Sequence, residues 1–479
     1  MMNYGHRKMY IDGELVDASN RAVREVICPA TEQAVATVAW ASRDESQRAL
    51  SAAQRGFTLW SKMSIDDRLH YIHLLRDRIL DNSIYLREVI MHEMGKTFAG
   101  TEEDLKSITD SLAYYGELVR SLSDETINDR EGSHSHYIKR QPVGVCAAFL
   151  AYNFPLLNLG FKLGPALASG CSIIVKPSEY SPLSAYIIGE LCHDIGLPKG
   201  VVNILCGDSA DVGLPLCEST SVRLITMIGS TPTAQRLVAQ SSSTSLKRYS
   251  LECGGNAPFI VAADADLEAA VDIGAALKIG NAGQICVSPN RFFVHESIVD
   301  SFCTALKTRF ENVMLGFGRD AQVDMGPLAS AAALQRVATF VDKAKEQGAQ
   351  LLCGGASPEG AGYYYLPTIL QMVDASAPVL QDEIFGPVAV VVPFATYEEV
   401  LLAANDVDTG LASYVFSRDE SLLHYFAEHL EFGEVMLNGV KYDIYLPHGG
   451  VKNSGIGWDC SPLALDDYLG RKRVTRAVT

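Results

Sequence analysis

Val143-Gly-Val-Cys-Ala-Ala-Phe-Leu-Ala151 is a short, almost wholly apolar run, and a helical pattern over 155–168 follows it at once. The pairing recurs in Ser172-Ile-Ile-Val-Lys-Pro177 with 181–195, in Gly200-Val-Val-Asn-Ile-Leu-Cys-Gly207 with 209–217, and in Val222-Arg-Leu-Ile-Thr-Met-Ile-Gly229 with 231–239. Runs this apolar suit strands covered on both faces, and strands alternating with helices form parallel sheets through crossover connections. A second series starts at Ala257-Pro-Phe-Ile-Val261 and continues through 270–279, Phe292-Phe-Val294 and 298–310. The fold class is therefore α/β, with two doubly wound parallel-sheet domains that meet near residue 254.

Upstream, 9–40 alternates apolar and polar residues around the turn signals Asp12-Gly13 and Pro29-Ala30, which predicts an N-terminal sheet. From 44 to about 116 the spacing turns helical, with Leu69, Ile72, Leu75 and Ile79 on one face. Two polar, period-two stretches, 124–140 and 471–479, lack an apolar face broad enough to stand alone. Pairing across a subunit boundary would satisfy both; a surface hairpin with a frayed terminus is the competing reading.

A chain of 479 residues exceeds what one core usually supports, and 48% apolar with 20% charged residues is ordinary globular composition. The net charge of −17 repels phosphate backbones and anionic lipid surfaces, so neither nucleic acid nor a membrane is an expected partner. The N-terminus lacks the apolar stretch of an export signal, and the most apolar region, 143–175, is broken by Asn153, Pro155, Lys162 and Pro165. A cytoplasmic location is expected. Eleven cysteines without a C-x-x-C pair read as reduced thiols, and no histidine spacing suggests a metal, so none is expected.

G-x-G-x-x-G is absent. Instead, functional residues flanked by glycine or proline sit at the predicted strand ends, where doubly wound sheets bind ligands. They are Asn153 in AYNFPL, Lys176 and Glu179 in IIVKPSEYSP, and Gly229-Ser230 in MIGSTP, then Glu252 in LECGGNAP, Cys286 in GNAGQICVSPNR, and Glu383 with Phe385 in EIFGP. Each alone has a bland reading: a buried small thiol, a turn-forming Asn, an ordinary surface Lys.

In this order and spacing the set resembles the NAD(P)-dependent aldehyde dehydrogenase superfamily, from Tyr10-Ile-Asp-Gly13 to Lys452-Asn-Ser-Gly455. The resemblance implies an aldehyde dehydrogenase-like fold with a dinucleotide-binding domain (1–122 with 141–254) and a catalytic domain (255–454). It further implies an oligomerisation arm and C-terminal strand (123–140 with 455–479) in a homodimer or homotetramer. GPLASAAALQRV, GYYYLPTIL and LPHGGVKNSGIG look most like bacterial lactaldehyde, glycolaldehyde and aminobutyraldehyde dehydrogenases. The expected reaction is NAD-dependent oxidation of a small aliphatic aldehyde to the free acid. The alternatives are a semialdehyde or aminoaldehyde as substrate, or an acyl-CoA product.

An aldehyde has no leaving group, so its oxidation needs a tetrahedral adduct, and by resemblance Cys286 is the nucleophile that makes it. Asn153 and the Cys286 backbone N–H would stabilise the oxyanion, and Glu252 would activate the water that hydrolyses the thioester. Relatives that pass the acyl group to coenzyme A lack that glutamate. Lys176 and Glu179 would hold the adenosine ribose, Gly229 and Ser230 the pyrophosphate, and Glu383 with Phe385 the nicotinamide ribose, with NAD favoured and NADP tolerated. Tyr152, Cys253 and Asn256 depart from the common pattern without removing a catalytic atom. Phe161 stands where relatives specific for succinate semialdehyde tend to carry an Arg. At the pocket mouth Tyr442 in the loop 441–445 and His448 are either substrate contacts or loop and turn residues.

Overall fold

The computed structural model describes residues 3–478 except Val373 and Ala375. Its larger sheet has eight strands in the order Gly455–Ile456, Arg248–Cys253, Val222–Gly229, Val145–Phe149, Ser172–Lys176, Val202–Ile204, Met9–Ile11, Glu14–Val16. The inner five pair in parallel and the outer pairings are antiparallel. Val145–Phe149 is buried at every position because helices cover both faces, as its uninterrupted apolar run requires. From this strand the chain winds to one side through Ser172–Lys176 and Val202–Ile204, then crosses to Val222–Gly229 and Arg248–Cys253 on the other. A crevice opens where the winding reverses, outside the strands' C-terminal ends.

The second sheet has seven strands in the order Gln350–Cys353, Thr368–Gln371, Val388–Phe394, Pro289–His295, Ala257–Val261, Ala412–Phe416, Glu434–Leu437, parallel except for the first. Gly455–Ile456 leaves this half and pairs with Arg248–Cys253 of the first sheet. The third sheet, Leu469–Ala477 with His134–Pro142 and Glu125–Ile127, is mostly exposed. The two polar stretches thus pair with each other along the whole of His134–Pro142 within one chain.

The predicted N-terminal sheet divides. Val23–Cys28 and Gln33–Ala39 pair with each other and with His6–Arg7, whereas Met9–Ile11 adds to the edge of the large sheet, Tyr10 opposite Ile204. Met9, Tyr10 and Ile11 are all buried, so this strand must lie inside the molecule rather than on a half-solvated sheet. The four helices Arg43–Trp60, Ile65–Asp81, Ser83–Met94 and Thr101–Ser121 occupy the helical stretch. Among the described residues no helix is long and apolar enough to cross a membrane.

Candidate active site

The crevice of the first sheet is a cleft of about 660 Å³ lined by Asn153, Lys176, Glu179, Gly229, Ser230, Glu252, Cys286, Glu383 and Phe385. The sequence spreads these residues over more than two hundred positions, and the fold gathers them. Lys176 ends one central strand and Gly229 another. Ser230 precedes the helix Thr231–Ser242, and its hydroxyl bonds that of Thr233 at 3.0 Å rather than capping the backbone, so the first turn faces the cleft without a side-chain cap. Glu179 reaches Arg24 at 3.3 Å, and the Arg24 guanidinium lies 4.7 Å from the centre of the Trp40 ring.

From the opposite wall Glu383 accepts the Gly255 N–H at 3.3 Å. A Cβ on Gly254 would lie 2.3 Å from the Glu383 carboxylate, so only glycine lets that carboxylate in. Burial raises the Glu383 carboxyl to about 7 against the Gly255 hydrogen bond. Phe385 takes a left-handed backbone (φ 51°) and sets its ring edge-on to Tyr152 at 5.8 Å.

Cys286 sits on a loop held by buried amides. Asn281 (φ 48°) and Ala282 (φ 53°) are both left-handed, an arrangement that persists only where the surroundings fix it. The Asn281 side chain donates to the Asn153 carbonyl at 2.9 Å, and the Gln284 side chain donates to the Asn281 carbonyl at 3.0 Å and accepts from the Ala329 N–H at 3.0 Å. The Asn153 amide donates to the Gln284 carbonyl at 3.0 Å and its oxygen accepts from Asn158 at 3.3 Å, which aims one amide hydrogen at the loop and leaves the other for the cleft. Gly283 (φ +70°) lies so close to Gly386 that a Cβ would stand 2.2 Å from its carbonyl oxygen. All cysteines but Cys286 and Cys353 are buried.

Glu252, on the buried end of Arg248–Cys253, is 4% exposed, and neither carboxylate oxygen has a hydrogen-bond partner. His448 Nε2 stands 3.5 Å from Glu252 Oε1, and His448 Nδ1 bonds Glu434 Oε1 at 2.7 Å. A Glu252 oxygen, the Cys286 sulfur and an imidazole nitrogen lie within 4.8 Å of one another. Burial, then the Glu252 charge, push the Cys286 thiol up, while His448 pulls it down. Burial works against a charge on His448, yet Glu434 and the groups on the other side of the ring outweigh it and hold the imidazole well above its ordinary value. His448 is fixed through its backbone, which exchanges hydrogen bonds of 2.8 and 2.6 Å with Asp459. Asp459 in turn pairs with the fully buried Lys162 at 2.5 Å.

Beyond Cys286 a second cavity of about 840 Å³ opens, with Asn153, Phe161, Glu252, Tyr442 and His448 in its lining. Phe161 faces His448 at 6.3 Å between ring centres. The Tyr442 hydroxyl meets that of Tyr414 at 3.0 Å, and Tyr414 bonds the Val287 carbonyl at 2.7 Å. The walls are apolar, through Leu157, Ile273, Leu277 and Met436, and the mouth carries Lys106, Asp110, Lys441 and Asp443. Every residue given a catalytic, cofactor or substrate role from the sequence therefore lies in one cavity or the other, and Asn153, Glu252 and Cys286 line both.

Sequence reading missed Glu434, Tyr414, Lys162, Asp459 and Arg336, the last of which lines the first cleft from the helix Ala331–Glu346. An acid in the apolar run GEVML and a lysine inside the apolar helix Pro155–Ser169 were the available signals. Their partners lie 14 and 297 residues away, at distances no local pattern spans.

Residues 15–474 match the sequence family described as the aldehyde dehydrogenase family. The chain is similar to a glutarate-semialdehyde dehydrogenase of Pseudomonas aeruginosa, 36% identical over 97% of this chain and 96% of that one. It is similar to the NADP(+) succinate-semialdehyde dehydrogenase of Escherichia coli, 34% identical over 98% of this chain and 97% of that one. A solved betaine aldehyde dehydrogenase of Staphylococcus aureus in complex with NAD+ superposes with a TM-score of 0.95 at 33% identity, covering 98% of this chain and 94% of that one. Whole-chain sequence similarity, the shared fold and the residues gathered around Cys286 agree: the chain belongs to the aldehyde dehydrogenase family.

Proposed function

We propose that this chain oxidises a semialdehyde to the free carboxylic acid with NAD, using Cys286 as nucleophile, Asn153 as oxyanion donor and Glu252 as the base. The observation that carries this reading is the position of those three residues at the junction of the two cavities, one fit for a dinucleotide and the other for an aldehyde. The first fits because a strand-end glycine, an uncapped helix start, Lys176 and Glu179 line it, and the glycine at 254 leaves room for the Glu383 carboxylate. Lys176 and Glu179 would hold the adenosine ribose, Gly229 and Ser230 the pyrophosphate, and Glu383 beside Phe385 the nicotinamide ribose. The bound cofactor supplies the acceptor for the two electrons of the oxidation.

The Cys286 sulfur attacks the aldehyde carbon, and the oxygen that becomes anionic is met by the free Asn153 N–H and the Cys286 backbone N–H. Once the carbon is oxidised the acyl group remains on sulfur as a thioester. Glu252, whose oxygens are bonded to nothing else, takes a proton from water so that the hydroxide frees the acid.

The semialdehyde relatives favour the semialdehyde class over the lactaldehyde and glycolaldehyde reading, and a cavity of about 840 Å³ suits a longer carbon chain. Phe161 adds no cation to the wall, so a distal carboxylate would meet Lys441 at the mouth, beside Lys106, which pairs with Asp110. NADH formation with purified protein should show the highest kcat/KM for glutarate or succinate semialdehyde; preference for glycolaldehyde or lactaldehyde would overturn the substrate. The exposed outer edge of Leu469–Ala477 suits pairing with another copy in a homodimer or homotetramer, which sedimentation would show.

A further inference from the structure

Three groups able to carry negative charge converge on one imidazole. Glu434 holds Nδ1 at 2.7 Å, Glu252 stands 3.5 Å from Nε2, and the Cys286 sulfur completes a cluster with Glu252 and the imidazole whose atoms lie within 4.8 Å of one another. Farther round the ring are the hydroxyls of Tyr414 and Tyr442, with Asp459 and Cys460 from the C-terminal segment. Lys162 already neutralises Asp459 at 2.5 Å. His448 is therefore the one cationic side chain within reach of both the thiol and the base among these groups.

The proposed reaction needs a thiolate and a carboxylate side by side in a poorly hydrated pocket. Two like charges there raise each other's cost, and burial raises it again. A cation between them offsets both, provided it keeps its own proton and does not turn away. Glu434 supplies that hold by accepting from Nδ1, which leaves Nε2–H pointing at the gap. The strand Glu434–Leu437 and the backbone exchange of His448 with Asp459 fix the two ends of this pair.

We infer that His448, oriented by Glu434, is the positioning cation that stabilises the Cys286 thiolate and anchors Glu252 beside it. This rests on the reading of Cys286 as nucleophile. In the step it assists, the S–H bond breaks with both electrons staying on sulfur, and the proton goes to solvent water. The imidazolium keeps both its protons, one toward Glu434 and one toward Glu252 and the sulfur. A histidine that merely fills the turn before Gly449 would leave the thiol's titration where it is.

The test is the rate of alkylation of Cys286 by iodoacetamide as a function of pH, read by mass spectrometry on the peptide that carries it, in the full-length protein without cofactor. His448→Gln should move the midpoint of that profile upward by about one pH unit or more, so that alkylation below the midpoint slows about tenfold. Glu434→Gln should move it the same way by less, because the imidazole remains but holds its proton less firmly. An unchanged midpoint in His448→Gln overturns the inference, and an unchanged midpoint in Glu434→Gln overturns the role of Glu434. Should His448→Gln fail to fold, His448→Asn takes its place, with the same midpoint shift expected and an unchanged midpoint overturning the inference. Failure of the nucleophile reading itself shows separately, as turnover that survives Cys286→Ala.

Discussion

On the cofactor side of the cleft the proposed contacts from the first sheet lie within three residues of a strand end: Lys176 and Glu179 at the end of Ser172–Lys176, Gly229 and Ser230 at the end of Val222–Gly229. On the substrate side the walls come from helix Thr101–Ser121, helix Pro155–Ser169, helix Leu267–Ile279, strand Glu434–Leu437 and the loop that ends at His448. One wall follows from local chain rhythm. The other exists only after distant segments have packed. The difference explains how the proposed cofactor site at the strand ends could stay the same while the aldehyde it serves changes with helix and loop side chains.

Cys286→Ala removes the atom at the seam between the two walls and should lower kcat/KM by more than about 10³-fold, measured as NADH formation. Normal turnover in that variant would mean that the two cavities do not meet at the reacting sulfur. Glu252→Gln keeps the shape but not the base. Its steady-state rate should fall by about 10³-fold while a first burst of NADH, near one equivalent per active site, survives in stopped flow.

Stability should separate the two walls as well. Asp104 is fully buried, pairs with Lys96 at 2.5 Å and accepts the N–H groups of Leu156 and Leu157 at 3.0 and 3.2 Å. It thereby ties the helix that carries Phe161 to the helix Thr101–Ser121. Asp104→Asn leaves the buried Lys96 charge without its counter-ion and should cost about 3 kcal/mol, read as a fall in denaturation midpoint. Glu179→Ala lies at the rim of the other wall. It should raise KM for NAD about tenfold and narrow the preference over NADP, with little change in kcat.

The smallest effect concerns Lys278, fully buried with Asn290 as its hydrogen-bond partner at 3.3 Å. Burial brings its amine down to about 7, with Glu383 opposing. A lysine whose folded value is depressed costs the fold most at and below that value, and the cost disappears as pH rises toward the unfolded value of 10.5. Lys278→Met should therefore raise the melting temperature at pH 7 and below, by the equivalent of about 1 kcal/mol, with the gain shrinking toward zero above pH 10. An equal gain at both pH values would point to packing rather than charge.

The sequence was readable where one element suffices to make the argument. The apolar runs at 143–151, 172–177 and 222–229 predict covered strands, and the structure has them as Val145–Phe149, Ser172–Lys176 and Val222–Gly229. Cys286, Glu252 and Asn153 stood out because glycine, proline or a strand end flanks each. Illegible were the pairings that only tertiary packing creates. Lys162 interrupts an apolar helix and reads as a break, yet it is fully buried because Asp459 reaches it from the far end of the chain. Glu93 carries no local signal in the sequence, yet it caps the helix Leu183–Asp194 by accepting the Leu183 and Ser184 N–H groups at 2.7 and 3.1 Å. The N-terminal strands are legible but not the sheet each joins, since alternation around 9–40 cannot show that Tyr10 lies opposite Ile204.

The covalent bond to Cys286 is best examined by trapping the acyl group. Glu252→Gln protein given NAD and a semialdehyde, then quenched in acid and digested, should show the peptide carrying Cys286 heavier by one acyl group while peptides of the other cysteines stay unmodified. An acyl group on any other residue, or none on Cys286 despite a burst of NADH, would contradict the account.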